Sequence, residues 1–255
     1  MVEQIIVGAT GAGYLIVGIL QFSKGAIPNG ILWIGTLSEG LAAYDTKSKR
    51  FITDNISPDL RKLLKQSGVY VIKKGRKNDI IWLGTFGKGL IRYDTTNNTF
   101  QVIGNDNYSD NFLTNDRIRT LLIDNKDFIW IGTQNGLNRI NLNDFDNNDY
   151  QINHFFFDNK VFSGDDILSL FQDRKNRIWI GTKAKGLYLF NGKTFNKVNI
   201  SIGNSAITSI HSISEDSNNN LWLSSNYGIV KYNPSQNSVT IYNQKDGLVS
   251  NEFND

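Results

Sequence analysis

Only two residues in this sequence could act as an imidazole base, His154 and His211. A Ser-His-Asp arrangement therefore has two possible centres, and a three-histidine metal site has none. There is no cysteine, which excludes a disulfide framework, a thiolate zinc site and a thiol nucleophile. Glutamates number four: Glu3, Glu39, Glu215 and Glu252. A glycosidase needs two carboxyl groups facing one bond. The best-spaced aspartates, Asp45 and Asp94, occupy equivalent places in a repeat and read more simply as turn formers. Asp216-Ser217-Asn218-Asn219-Asn220 opens like a calcium loop. Leu221 and Tyr227 stand where that loop needs Gly and Glu, so it reads as a turn. Gly8-Ala9-Thr10-Gly11-Ala12-Gly13 follows Ile5-Ile6-Val7, but the next strand of a dinucleotide site is missing. Lys73-Lys74-Gly75-Arg76-Lys77 falls on a hairpin and reads as a solvated turn rather than a phosphate contact. No catalytic residue, metal site or cofactor is expected.

The elements behind these residues repeat. Trp33, Trp82, Trp130, Trp179 and Trp222 are spaced by 49, 48, 49 and 43 residues. Each lies in one phrase: LWIGT, IWLGT, IWIGT, IWIGT and LWLSS. A Gly-apolar pair follows six or seven residues later, at Gly40, Gly89, Gly136, Gly186 and Gly228. An apolar residue with Asp or Asn comes next, as in Tyr44-Asp45, Tyr93-Asp94 and Phe190-Asn191. In the third copy, Ile118 to Ile123 reads as a strand and Asp124 to Asp127 as a turn. Phe128 to Thr133 is a second strand, Gln134-Asn135-Gly136 a tight turn and Leu137 to Ile140 a third strand. Tyr150 to Phe157 is a fourth. Four antiparallel strands in 40–50 residues are the mark of a β-propeller blade.

The expected fold is all-β, one propeller over 1–255 of about five four-stranded blades, either a closed ring or an incomplete part of a seven-bladed one. The repeats run over 14–53, 69–103, 118–157, 167–199 and 207–243. Ser57 to Gln66 reads as a short inserted helix over 58–66, with Ser57 as N-cap and Pro58 in its first position. The tryptophans fill the space between sheets, and Gly two residues later admits the next backbone. Gln4 to Ser23 carries no charge and is long enough to span a bilayer. Its glycines favour a loop followed by a strand over Tyr14 to Phe22. A net charge of +3 forces no basic stripe, and no nucleic-acid partner is expected.

The run from Asp173 to Asn191 resembles the two-component regulator propeller repeat, and Asp124 to Asn141 matches it equally well. The resemblance covers five units, from Tyr14 to Asp255. It implies the sensor region of a bacterial hybrid histidine kinase or related regulator, on the periplasmic or extracellular side of the membrane. It further implies a non-enzymatic domain that recognises a carbohydrate or other small ligand. Family members have seven blades, often in tandem propellers, whereas this chain has five phrases. Its expected partners are that ligand, other blades or domains of a parent sensor, and further copies joined through open sheet edges. The expected ligand contacts lie in the turns between second and third strands, at Glu39, Phe86, Lys88, Gln134, Lys183, Lys185 and Tyr227, with His211 on a first strand. A lyase or glycosidase on the same scaffold, or a scaffold for protein partners, is the alternative.

Overall fold

A computed structural model describes residues 16–19, 30–37, 39–52, 56–65, 67–77, 79–105, 111–147, 149–155, 164–202 and 205–250. It contains five four-stranded antiparallel sheets, each made of strands consecutive in sequence. The first holds β1 (Ile16–Ile19), β2 (Ile31–Thr36), β3 (Gly40–Asp45) and β4 (Arg50–Phe51). The second holds β5 (Val69–Lys74), β6 (Ile80–Thr85), β7 (Leu90–Asp94) and β8 (Thr99–Ile103). In the third are β9 (Ile118–Ile123), β10 (Phe128–Thr133), β11 (Gly136–Asn141) and β12 (Ile152–His154). β13 (Ile167–Gln172), β14 (Ile178–Thr182), β15 (Leu187–Phe190) and β16 (Phe195–Val198) form the fourth. A small hairpin follows, β17 (Ser201–Ile202) and β18 (Ser205–Ala206). β19 (Ile210–Glu215), β20 (Leu221–Ser225), β21 (Gly228–Asn233) and β22 (Ser238–Tyr242) complete the fifth sheet.

The chain forms two compact parts, with the division inside β9, after Leu121. In the first part, Trp33 meets Tyr93 of the next repeat edge-on, with ring centroids 5.8 Å apart. They share a core with Ile56, Leu60, Leu64, Val69, Leu83 and Ile91. In the second part, Trp130 meets Phe190 at 5.1 Å and Trp179 meets Tyr232 at 6.2 Å, again one repeat onward. These three indoles pack on the aromatic residue at or next to the end of the next repeat's third strand, and the expected packing role is observed for them.

Glycine after the tryptophan has the expected cause as well. A Cβ at Gly35 would lie 2.7 Å from the Val69 carbonyl oxygen, and one at Gly181 would lie 2.7 Å from that of Ile210. Both carbonyls begin the first strand of the following repeat. The threonine beside this glycine has a role the sequence did not disclose. Thr182 Oγ1 donates to the Gly186 carbonyl at 3.0 Å and accepts the Lys185 N–H at 2.9 Å. Thr36, Thr85, Thr133 and Ser225 bridge their own turns in the same way. Thr182→Val keeps the shape and removes both bonds. It should lower stability by about 1.5 kcal/mol, read as a lower urea midpoint with an unchanged slope.

Several expectations need correction. The inserted helix lies where expected, as α1 (Pro58–Leu64), but the Ser57 side chain makes no capping bond. Only the Ser57 carbonyl serves, accepting the Arg61 N–H at 2.9 Å. Pro58 does occupy the first turn, and Leu60 and Leu64 are buried. The fourth strand of the third repeat is shorter than Tyr150 to Phe157. A helix α2 (Leu142–Asp146), capped by the Asn141 side chain on the Asn143 N–H, takes up chain before it. Residues 156–163 lie outside the described residues. Within Gln4 to Ser23, residues 16–19 form β1, and the remainder lies outside the described residues. Among the described residues, no helix is long and apolar enough to cross a membrane.

Candidate ligand-binding rim

Each sheet has one end where the turn between its second and third strands meets the start of its first strand. The pairings Val69↔Thr85, Ile167↔Thr182 and Ile210↔Ser225 fix this geometry. Neighbouring repeats are tied together there. Gly89 N–H donates to the Asp116 carbonyl at 3.0 Å, Gly136 N–H to that of Asp165 at 3.1 Å, and Gly186 N–H to that of Thr208 at 2.7 Å. The turn glycines have positive φ, 104° at Gly136 and 85° at Gly186, a region open to glycine at little cost.

The first strand carries a bulge at this end. Register shifts fall between Val69 and Val71, between Ile167 and Ser169, and between Ile210 and Ser212. The extra residue is Tyr70, Leu168 or His211. A bulged residue is left out of the ladder and its side chain is re-aimed. For Tyr70 and His211 it meets the residue following the turn threonine or serine. Tyr70 stacks on Phe86, with centroids 5.5 Å apart and planes 25° from parallel. His211 Nε2 lies 2.9 Å from both Asn226 Oδ1 and Ser209 Oγ. An Nε2–H shared between those oxygens satisfies both contacts.

All eight expected contact residues lie at this end of their own sheets. In the first part, Glu39 is exposed, and Phe86 and Lys88 are half-buried. Phe86 is joined by three residues the sequence did not single out. The Arg117 guanidinium carbon sits 4.7 Å above the Phe86 ring centre, and that of Arg119 lies 5.2 Å from the Tyr70 ring centre and 5.9 Å from that of Phe86. Arg119 Nη1 donates to the Tyr70 hydroxyl at 3.1 Å. In the second part, Lys183 is exposed, Gln134 and Lys185 are half-buried, and Tyr227 is 45% exposed beside Asn226. The Lys185 and Tyr227 backbone N–H groups are committed to Thr182 Oγ1 and Ser225 Oγ. Aligning the copies on their tryptophans puts Arg119, Leu168 and His211 at one equivalent place, with Tyr70 one position further from its indole. Only the histidine stands out by residue type.

The opposite end of the sheets has another chemistry. Asp173 Oδ1 accepts the Lys175 and Arg177 N–H groups, and its Oδ2 accepts the Trp179 indole N–H at 2.8 Å and Arg177 Nε at 2.6 Å. Asp124 and Asp216 hold Trp130 and Trp222 at 2.8 and 3.0 Å. For Asp173, burial works to raise the carboxyl pKa, but the indole and the Arg177 groups outweigh it and hold it below the ordinary value. The carboxylate of Asp216 is thus spent on its own turn, as the turn reading expected, and also on the Trp222 indole. Asp45 and Asp94 likewise accept backbone N–H groups of their own turns, those of Lys47 and Thr96. Among the described residues, no group of three or more His, Asp or Glu side chains is placed to hold a metal ion.

The phrase that gives each repeat its indole, glycine and hydroxyl matches the profile of one family, described as Two component regulator propeller, over residues 113–135, 162–184 and 204–227. These three segments are two-component regulator propeller repeats. The propeller chain is 44% identical over 226 residues to "Histidine kinase P4" of Formosa agariphila. That match takes in 88% of this chain and 16% of the kinase. Among solved structures, the extracellular domain of the putative hybrid two component system BT3049 from B. thetaiotaomicron superposes with a TM-score of 0.72. Its identity is 21%, over 98% of this chain and 32% of that one. The extracellular domain of the putative one component system BT4673 from the same organism gives a TM-score of 0.70 at 19% identity, over 93% of this chain and 29% of that one. The fold is that of a β-propeller of four-stranded blades, and the chain spans no more than a third of these relatives.

Proposed function

We propose that this chain is the sensing portion of a larger two-component regulator, lying outside the cytoplasmic membrane, and that it holds a small carbohydrate-type ligand without transforming it. One observation carries the reading. The tryptophan and the turn threonine or serine recur in every repeat, while the bulged residue and its turn neighbour change from one to the next. They are Tyr70 with Phe86, Leu168 with Lys183, and His211 with Asn226. Constant support under varied side chains is how a scaffold presents a binding surface. Tyr227 with Asn226, His211 and Ser209 combines an exposed ring with amide, imidazole and hydroxyl groups. That mixture suits a sugar, which has apolar ring faces and a hydroxyl edge. The kinase relative and the extracellular sensor domains support the regulator context.

Signalling follows from differential affinity. A ligand held at the rim favours one arrangement of the propeller relative to further domains, and the response equals the ratio of its affinities for the two arrangements. The test is a panel of glycans in a thermal-shift assay, with the products of each incubation analysed. A rise in midpoint for one glycan class with no product is the expected result. Product formation would replace this reading with an enzyme. No shift with any glycan would leave a scaffold for protein partners.

A further inference from the structure

We infer that Arg139, with Asn153 beside it, is a binding site for the carboxylate of a small organic acid, separate from the rim. The place across the strand pair from each tryptophan is taken by Ala43, Arg92, Arg139, Leu189 and Lys231. Alanine and leucine serve the framework there, so packing alone does not call for a charge. Arg139 nevertheless carries one into the space between the third and fourth sheets. Its guanidinium carbon lies 4.4 Å from the Phe128 ring centre, 5.1 Å from that of Trp130, 5.4 Å from that of Phe155 and 5.9 Å from that of Phe190. Aromatic faces attract a cation, but they bring no charge to neutralise it.

Among the described residues, no acidic side chain forms an ion pair with Arg139, and its buried Nε–H has no acceptor. Nη2 donates to Asn153 Oδ1 at 3.1 Å, a neutral partner. Burial works against the charged form of Arg139, and the Asp124 carboxylate, close enough to favour it, only partly offsets this. The Asp124 oxygens are already engaged by the Lys126 and Phe128 N–H groups and the Trp130 indole. A carboxylate can fork onto a guanidinium through its in-plane N–H donors, while the flat face stays on the rings. Asn153 is exposed on β12, the outer strand of its sheet, so a ligand can arrive from that side. The Asn153 amide there adds a neutral donor, and the half-buried Phe128 and Phe155 add apolar surface for the body of the acid.

The experiment is isothermal titration of the 255-residue chain with phenylacetate and its amide, with glucuronate and glucose, and with sodium sulfate. At least one acid should bind about tenfold more tightly than its neutral counterpart, since charge-assisted bonds are lost with the charge. Which acid does so tells an apolar body from a sugar body. Arg139→Leu, which copies the fourth repeat, should keep Tm within about 2 °C and erase the binding. Asn153→Asp sets a carboxylate of the chain itself beside Arg139. It should raise Tm by about 2–4 °C and also erase the binding. Lys193→Gln, on an exposed turn of the fourth sheet, should change neither. No binding of either acid, or equal binding of the neutral counterparts, would overturn the inference. So would acid binding that survives Arg139→Leu, or sulfate binding as tightly as the acids, the mark of a simple counterion site. A fall in Tm for Arg139→Leu with no rise for Asn153→Asp would assign the arginine to packing and overturn it too. The rim reading is tested separately, by neutral glycans that carry no carboxylate.

Discussion

Gly181→Val will destabilise the protein by at least about 3 kcal/mol, the largest loss expected from one substitution. A Cβ at this position collides with Ser169 Oγ and lies 2.7 Å from the Ile210 carbonyl oxygen and 2.8 Å from its Cγ2. Ile210 begins β19, and Ser169 Oγ already donates to its carbonyl at 3.2 Å. Neither group can retreat, because the Ile210 backbone belongs to the next sheet and its side chain is fully buried. The added volume must push β14 from β19 and open the core that holds Trp179, Leu187, Leu223 and Tyr232. In a domain of this size the loss corresponds to a fall of about 6–12 °C in Tm. Ser224 is the internal control, since it stands at the same place in the fifth repeat, is half-exposed, and bonds Ser212 Oγ at 2.8 Å. Ser224→Ala should cost less than about 1 kcal/mol. A valine tolerated at position 181 would mean that the two sheets do not approach there.

Asp173→Ala should cost about 3 kcal/mol. The carboxylate closes the turn between β13 and β14 and accepts the indole N–H of Trp179, whose side chain is 1% exposed. Removing it strands that N–H away from water and leaves Arg177 without the partner at 2.6 Å. Stranding a buried donor costs more than deleting the pair, so Trp179→Phe in the Asp173→Ala background should lose less than the two single losses added. The bond also has a pH signature. The folded carboxyl is held below the ordinary value, so its contribution is complete above the unfolded-chain value of about 3.9. It is lost as pH falls below that through the lower folded value. Acid unfolding of the wild-type chain should steepen in that window, and the steepening should shrink in Asp173→Ala. An unchanged acid limb would show that the indole bond adds nothing to stability.

How much of this was legible follows from what a sequence records. The 48–49-residue spacing of the tryptophans exposed the strand order, because a large ring and a glycine two residues on are types that few positions tolerate. The Asp173–Trp179 bond was half-visible. An aspartate six residues before the indole was plain, and its turn-forming role was read correctly, but the ring nitrogen as its second partner is a matter of side-chain direction. The same holds at the far ends of the first strands, where Gln172 bonds both the backbone and the side chain of Asn125 and Glu215 accepts the Arg174 N–H at 3.0 Å. Ser57 misled because residue type gives a preference for caps, whereas at α1 only its backbone carbonyl takes part in the helix start. At the rim, Phe86 and Lys88 were named as candidates from the phrase around the tryptophan. Tyr70 was not, since a bulge is a backbone event without a residue signature, and Arg117 and Arg119 reach Phe86 from the following repeat.

That bulge has a consequence for how such a molecule can change over generations. The inserted residue makes no ladder bond, so exchanging tyrosine, leucine or histidine there leaves the supporting sheet almost indifferent. Selection can rewrite the chemical address one copy at a time, while the shared framework stays under its own separate constraint. Descendants of one ancestral array can thereby acquire new tastes without first becoming fragile.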